Sequence, residues 1–327
     1  MSATPANSAG CPRCGAPRVA APDCPHCGVV YARAEQRKAA VEPSPDSRLP
    51  ADVTVENPQV PVVRSAAAQF ARDGALAAAR AEMQLARFAV PAALLTSLLL
   101  AQTDMGAFLL RTFFGMWLHE LGHAVAAWLC GYPAFPGPWF TSVGEERSFL
   151  FALAITAGLV YAVWRARMEG ERVWMGVAIA VLVLQLALTV VLSPAKAHVL
   201  ITFCGDAGSM VFGAALMAAF FVPPGHKLHR DWLRWGFLVI GAASFADTFP
   251  GWWAARHDPG VIVFGEIEGR ADTDPTVLVD SGWTVVQMVS RYVAIGVLSL
   301  LALAGAQVLH FRRTREALAA METDVNP

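Results

Sequence analysis

The chain has 327 residues, of which 55% are apolar and 16% charged, with a net charge of −1 and a mean hydropathy of +0.45. Soluble domains carry about 25% charged residues, and the apolar residues here are grouped in runs long enough to cross a ~30 Å hydrocarbon layer as helices. That excludes disorder, a secreted disulfide scaffold and a soluble α/β enzyme, and the near-neutral charge gives no case for a nucleic-acid partner. The expected fold class is an all-α polytopic membrane protein with a small N-terminal zinc ribbon.

Charge and proline gather in residues 1–86. Residues 1–34 hold four of the six cysteines, in Cys11-Pro12-Arg13-Cys14-Gly15 and Cys24-Pro25-His26-Cys27-Gly28. Two C-x-x-C knuckles, each closed by a glycine that permits a tight turn, predict a tetrahedral thiolate cage for a structural Zn ion. A redox role would need a thioredoxin-like βαβ context, and none surrounds these residues. His26 is expected to be exposed rather than a ligand, with Tyr31 following the second knuckle. Thiolate-bound zinc suggests a reducing compartment, so the ribbon is expected to be cytoplasmic. A closed four-thiolate site has no open coordination position, which suits it to a protein partner rather than to catalysis.

Residues 35–86 read as a proline-rich linker (41–62) followed by an alanine-rich lead-in helix. Arg64, Arg72, Arg80 and Arg87 recur every seven or eight residues, near one helical face. Such a face suits either anionic lipid or simple solvation. No apolar signal segment follows Met1.

Residues 87–311 form the expected membrane domain, with apolar candidates near 88–103, 105–131, 148–165, 172–193, 197–222, 231–250 and 284–310. The first is short and contains Pro91, so six or seven membrane helices are predicted. Basic residues fall at Arg165/Arg167/Arg172, at Lys227/Arg230 and at Arg312/Arg313/Arg315. Retaining all of them on the cytoplasmic side with the ribbon favours six crossings plus a partial first element. Residues 312–327 then form a cytoplasmic tail. The lipid bilayer, in the setting of a bacterial inner membrane, is the expected surrounding.

Within the second apolar segment stands Trp117-Leu118-His119-Glu120-Leu121-Gly122-His123-Ala124-Val125. This is H-E-x-x-H on a helix. At i and i+4 the imidazoles share a face and can bind one Zn, while Glu120 is placed to take a proton from the metal-activated water. A bare H-E-x-x-H is a weak signal, but three ionisable groups inside a hydrocarbon span each cost at least ~2.5 kcal/mol unless they pair, face a polar cavity or bind an ion. A buried His–Glu cluster tying helices together is the bland alternative.

HELGH in a membrane helix, followed by AWLCGYP, resembles the site-2 protease family of intramembrane zinc metallopeptidases, especially its compact bacterial branch. The resemblance implies a zinc-dependent metalloendopeptidase. His119 and His123 would be ligands of a catalytic zinc, Glu120 the catalytic base, and a downstream aspartate the third ligand. The substrate would be a transmembrane protein cut in or near its membrane segment. By depth along its span Asp206 in FCGDAGSM is the first candidate for that aspartate. It sits between Gly205 and Gly208, where backbone can approach closely. Asp247 in ASFADTFP is the alternative, followed by Glu145 or Glu146. The chain's only asparagines are Asn7, Asn57 and Asn326, so His198, Thr202 or Ser209 is expected to supply the oxyanion donor.

Two loops border this segment. YPAFPGPWFTSVGEER is a candidate rim or headgroup anchor. The acidic loop from Gly251 to Gly282 contains Val261-Ile262-Val263-Phe264, a β-prone run whose edge could hold an extended substrate. The competing reading of the whole chain is a catalytically inactive membrane adaptor or metal sensor, with the ribbon as its partner-binding module.

Overall fold

The computed structural model describes residues 10–11, 13–34, 60–222, 226, 228, 232–267 and 271–323, without the side chains of 60–69, 267, 271 and 322–323. The proline-rich linker lies almost wholly outside the described residues, as do Lys227 and Arg230. Two units are distinct, one ending at Ala68 and one beginning at Gln69.

In the first unit each cysteine knuckle is a closed turn. Gly15 (φ 73°) and Gly28 (φ 67°) take the left-handed conformation that a side chain would strain. Their N–H groups donate to the Cys11 and Cys24 carbonyls at 2.9 and 2.8 Å. Tyr31 is buried against Cys11 and Cys24.

The second unit is helical. Helix α1 (Val60–Leu100) runs unbroken through Pro91 and across the expected boundary at residue 87. Helix α2 (Asp104–Leu110) is capped by Thr103, whose hydroxyl accepts from the Gly106 N–H. It passes through a π-helical turn (Arg111–Gly115) into α3 (Met116–Leu129). A hairpin of β1 (Ala134–Pro136) and β2 (Thr141–Val143), paired antiparallel with Phe135 opposite Ser142, leads to α4 (Phe149–Met168). Then come α5 (Arg172–Val191), α6 (Pro194–Ala218) and α7 (Leu233–Ala254). A two-residue ladder of β3 (Glu266–Ile267) with β4 (Ala271–Asp272) precedes the short α8 (Asp274–Asp280) and the long α9 (Val285–Thr323).

Five described helices are long and apolar enough to cross a membrane: Phe70–Leu100, Phe149–Met168, Arg172–Val191, Pro194–Phe221 and Val285–Met321. This is fewer than the six or seven predicted, and the first segment, predicted as partial, is among them. The two that drop out are diluted by polar residues. Helix α3 is 14 residues long, about 21 Å at 1.5 Å per residue, and carries the H-E-x-x-H. Helix α7 carries Arg234 and Asp247 among Trp, Gly and Pro.

Helix α6 is the hub. Its apolar stretch is 44% buried, against 6% for α4 and for α5, so it is the most enclosed of these three. Small residues let neighbours reach it. A Cβ on Gly122 of α3 would collide with the Cys204 carbonyl, and one on Gly213 would lie 2.9 Å from the Gly241 oxygen of α7. Met210, Met217, Leu238, Phe245, Met288 and Tyr292 fill the core between α6, α7 and α9. Arg234 of α7 is 9% exposed and ion-pairs with Glu82 of α1 through both guanidinium nitrogens; without that acid it would be a costly buried charge.

The outer α4–α5 pair shows apolar side chains such as Leu150 and Val190 to its surroundings. A chain of polar contacts ties it inward. Thr156 Oγ1 donates to Gln185 Oε1 (3.0 Å), Gln185 Nε2 to Thr189 Oγ1 (3.3 Å), and Thr189 Oγ1 to the Leu129 carbonyl (3.0 Å). The last bond satisfies a carbonyl that the end of α3 leaves unpaired.

Candidate metal centres

The four cysteines of the ribbon offer sulfur atoms that all lie within 4.8 Å of one another. Cys11 and Cys27 Sγ are 3.6 Å apart, and Cys14 and Cys24 Sγ are 3.8 Å apart. None forms a disulfide. Tetrahedral thiolate bonds of 2.3 Å put ligand sulfurs about 3.8 Å apart, so the cluster could form a zinc ribbon. Burial opposes ionisation of Cys24, but the backbone N–H groups of His26 and Cys27 outweigh it and bring the thiol down to about 6. The Val29 backbone N–H favours the Cys27 thiolate, but burial together with the other three sulfurs outweighs it and pushes the thiol up to about 12. His26 is exposed, as expected of a residue that is not a ligand.

The second cluster is built on the crossing of α3 and α6. His119 and His123 stand one turn apart on α3, ring centroids 4.7 Å apart and planes at 86°. Their Nδ1 atoms are both committed to acceptors on α6. His119 Nδ1 is 2.9 Å from Asp206 Oδ1, and His123 Nδ1 is 2.8 Å from the Ile201 carbonyl. Donation at Nδ1 leaves the Nε2 lone pairs free on both rings. These face each other at 3.1 Å, and Asp274 Oδ2 lies 3.3 Å from each.

In that tautomer three electron-pair donors converge. Asp274 Oδ2 is buried and has no hydrogen-bond partner among the described residues, a state normally costing a few kcal/mol. The edges of 3.1, 3.3 and 3.3 Å are those of one face of a tetrahedral site, about 3.3 Å for metal–ligand bonds of 2.0–2.1 Å. His119, His123 and Asp274 could hold a metal ion.

The predicted third ligand, Asp206, comes to the site but on the far side of His119. Its Oδ1 takes the imidazole N–H, and its Oδ2 accepts from Trp252 Nε1 at 2.8 Å. The Trp252 indole is itself stacked on Tyr292, centroids 4.1 Å apart. Asp206 thus fixes the ring that presents the ligand atom. Gly205 explains the closeness: a Cβ there would fall 2.6 Å from both imidazoles. Asp247 lines the same cavity but lies against Gly115 of the π-helical turn rather than on the triad. Glu145 and Glu146 are exposed, away from it. Asp274 was one acid among several in the Gly251–Gly282 loop. Its signal was the Thr273-Asp274-Pro275 helix start, with proline in the first turn.

Glu120 is 4% exposed. Its Oε2 accepts from Thr141 Oγ1 of β2 at 2.7 Å, and no described residue hydrogen-bonds Oε1. The cluster opens into a cavity of about 830 Å³ bounded by Trp139, Phe140 and Thr141 on one side and Val261–Val263 on another. His198 and Thr202 line it, whereas Ser209 does not. Ser209 is buried with no partner for its hydroxyl. The expected strand at 261–264 is absent. Pro259–Val261 forms a 3-10 turn capped by Asp258 Oδ1, and the Val263 carbonyl accepts from Thr273 Oγ1 at 3.0 Å.

Comparison with family models, with curated proteins and with solved structures returns no match. Fold and sites together define a helical polytopic membrane protein with two clusters able to hold metal.

Proposed function

We propose that the protein is an intramembrane zinc metallopeptidase that hydrolyses peptide bonds in or near transmembrane segments. The carrying observation is the convergence of His119 Nε2, His123 Nε2 and Asp274 Oδ2, with Glu120 next to it in the wall of the cavity. Three protein ligands with a fourth position open to the cavity is the catalytic form of a zinc site. A zinc ion held there would polarise the scissile carbonyl and make water nucleophilic near neutral pH. Glu120 Oε1 accepts the proton of the attacking water and passes it to the departing amine, while Thr141 holds Oε2. His198 and Thr202 offer donors to the carbonyl oxygen. Thr141 and Val143 of β2 and residues Ile262 and Val263 border a slot suited to an unwound peptide, and Trp139 and Phe140 supply an apolar rim.

The test is metal content and cleavage of the purified full chain. The probe is a pooled library of single-pass transmembrane peptides read by mass spectrometry. The wild type is expected to hold two zincs and cleave; Glu120→Gln should keep both zincs and lose cleavage, and Asp274→Ala should keep only the ribbon zinc. Two zincs without cleavage would overturn the enzyme reading in favour of a metal-binding adaptor. A single zinc would remove the catalytic centre altogether.

A further inference from the structure

A second cavity, of about 740 Å³, shares only His198 with the one over the triad. The first turns of α6, the end of α8 and the start of α9 enclose it. Its polar lining is cationic: Lys196 and Arg291, with His198 and the Ser281 hydroxyl, and no carboxylate. Among the described residues neither Lys196 nor Arg291 has an acidic partner within 4.0 Å. The Arg291 guanidinium carbon lies over the Trp283 ring, 3.9 Å from its centroid. The ring covers one side of the group, and no described residue accepts from its N–H donors. The N-terminus of the 25-residue α6, capped by Ser193, adds a positive dipole end at Ala195 and Lys196.

The remaining walls are apolar: Val199, Leu200, Phe203, Val277 and the Trp283 ring. Both α6 and α9 are of membrane length, so their starts bring this cavity to the level where headgroups meet hydrocarbon. There, two unpaired cations and a tryptophan are the usual anchors.

We propose that this cavity binds the phosphate of an anionic phospholipid, with Lys196 and Arg291 on the phosphate and the acyl chains against Val199, Leu200 and Phe203 of α6. A free phosphate ion would satisfy the cations but leave the apolar walls uncovered. The proposal does not depend on the peptidase reading, since none of its cations belongs to the triad.

The test uses the full chain in phosphatidylcholine nanodiscs doped with photoreactive phosphatidylglycerol or photoreactive phosphatidylcholine, with crosslinks mapped by mass spectrometry. Labelling of peptides spanning 195–203 and 277–291 should favour the glycerol headgroup by about fivefold for each cation, from ~1 kcal/mol per basic residue. The ratio should fall to about one in Lys196→Gln/Arg291→Gln and persist in the charge-retaining Lys196→Arg/Arg291→Lys. Equal labelling by the two lipids, or a preference unchanged by neutralising both residues, would overturn the proposal. So would a preference abolished by inorganic phosphate, which would hand the cavity to a soluble anion.

Discussion

Gly208 of α6 sits directly on Gly122 of α3: a methyl group on Gly208 would lie 2.5 Å from the Gly122 Cα. Two residues without side chains let the helices approach until their backbones touch, which brings Gly205 and Asp206 up to the imidazoles. The metal-competent triad is therefore a consequence of a helix crossing, and the crossing can be attacked without touching a ligand.

Gly208→Ala should push α3 and α6 apart. Overpacking of this kind costs about 1–3 kcal/mol and should lower the unfolding temperature of the detergent-solubilised protein. Gly205→Ala should act more locally, since its methyl would meet both rings at 2.6 Å. Its expected result is loss of one of two zincs with the ribbon zinc retained, measured by elemental analysis.

Asp274 and Asp206 should separate under substitution. Asp274→Asn weakens a carboxylate that would bind the metal directly, and metal retention against a chelator should collapse. Asp206→Asn leaves one acceptor oxygen for two N–H donors, those of His119 Nδ1 and Trp252 Nε1, and affinity should fall about 10- to 100-fold. Trp252→Phe removes the donor to Asp206 Oδ2 but keeps most of the stack on Tyr292, so its loss should be the smaller. Competitive titration with a calibrated zinc chelator ranks the three; Asp206→Asn matching Asp274→Asn would mean that both aspartates bind metal.

How far the sequence leads is visible in this pair. The i, i+4 spacing of His119 and His123 and the paired C-x-x-C knuckles are local patterns, and both assemble as read. Counting residues along a span located Asp206 at the right depth, and its flanking glycines marked the close approach. Depth does not tell which ring nitrogen a carboxylate meets, and that depends on the α3–α6 crossing. Asp274 was harder still. It stands on a helix of seven residues reached through a loop that folds back over α6, and Asp258, followed by Pro259 in the same loop, carries the same local signature. Long-range return of a chain leaves no periodicity to read.

The ribbon makes a pH-dependent prediction. A thiol lowered to about 6 from an ordinary value near 8.5 contributes stability that is complete above that ordinary value and lost as pH falls through about 6. At pH 7 Cys24 is already mostly thiolate, whereas Cys27, pushed up to about 12, keeps its proton until metal displaces it. Zinc uptake at pH 7 should therefore release fewer protons than the four carried by four free thiols, and release should grow as pH drops below about 6. Affinity falls in the same direction, because each added proton competes with metal. Calorimetry in buffers of different ionisation enthalpy counts the protons; release of all four at pH 7 would contradict the low Cys24 value.

Thr141 offers a test of the base that leaves both metal sites alone. Its hydroxyl, carried on β2, reaches Glu120 Oε2 at 2.7 Å and the Glu120 carbonyl at 2.8 Å. Thr141→Val preserves the branched shape that suits a strand and deletes the donor. With Oε2 no longer held, Glu120 can leave the rotamer in which Thr141 fixes it in the cavity wall. A hydrogen bond to a charged group is worth about 1.5–3 kcal/mol, so if it acts only in the transition state kcat should fall at least about tenfold. Zinc content and KM should stay unchanged. Thr141→Ser, which keeps the hydroxyl, should restore most of the rate. A drop in both variants alike would assign Thr141 to the packing of the hairpin rather than to positioning Glu120.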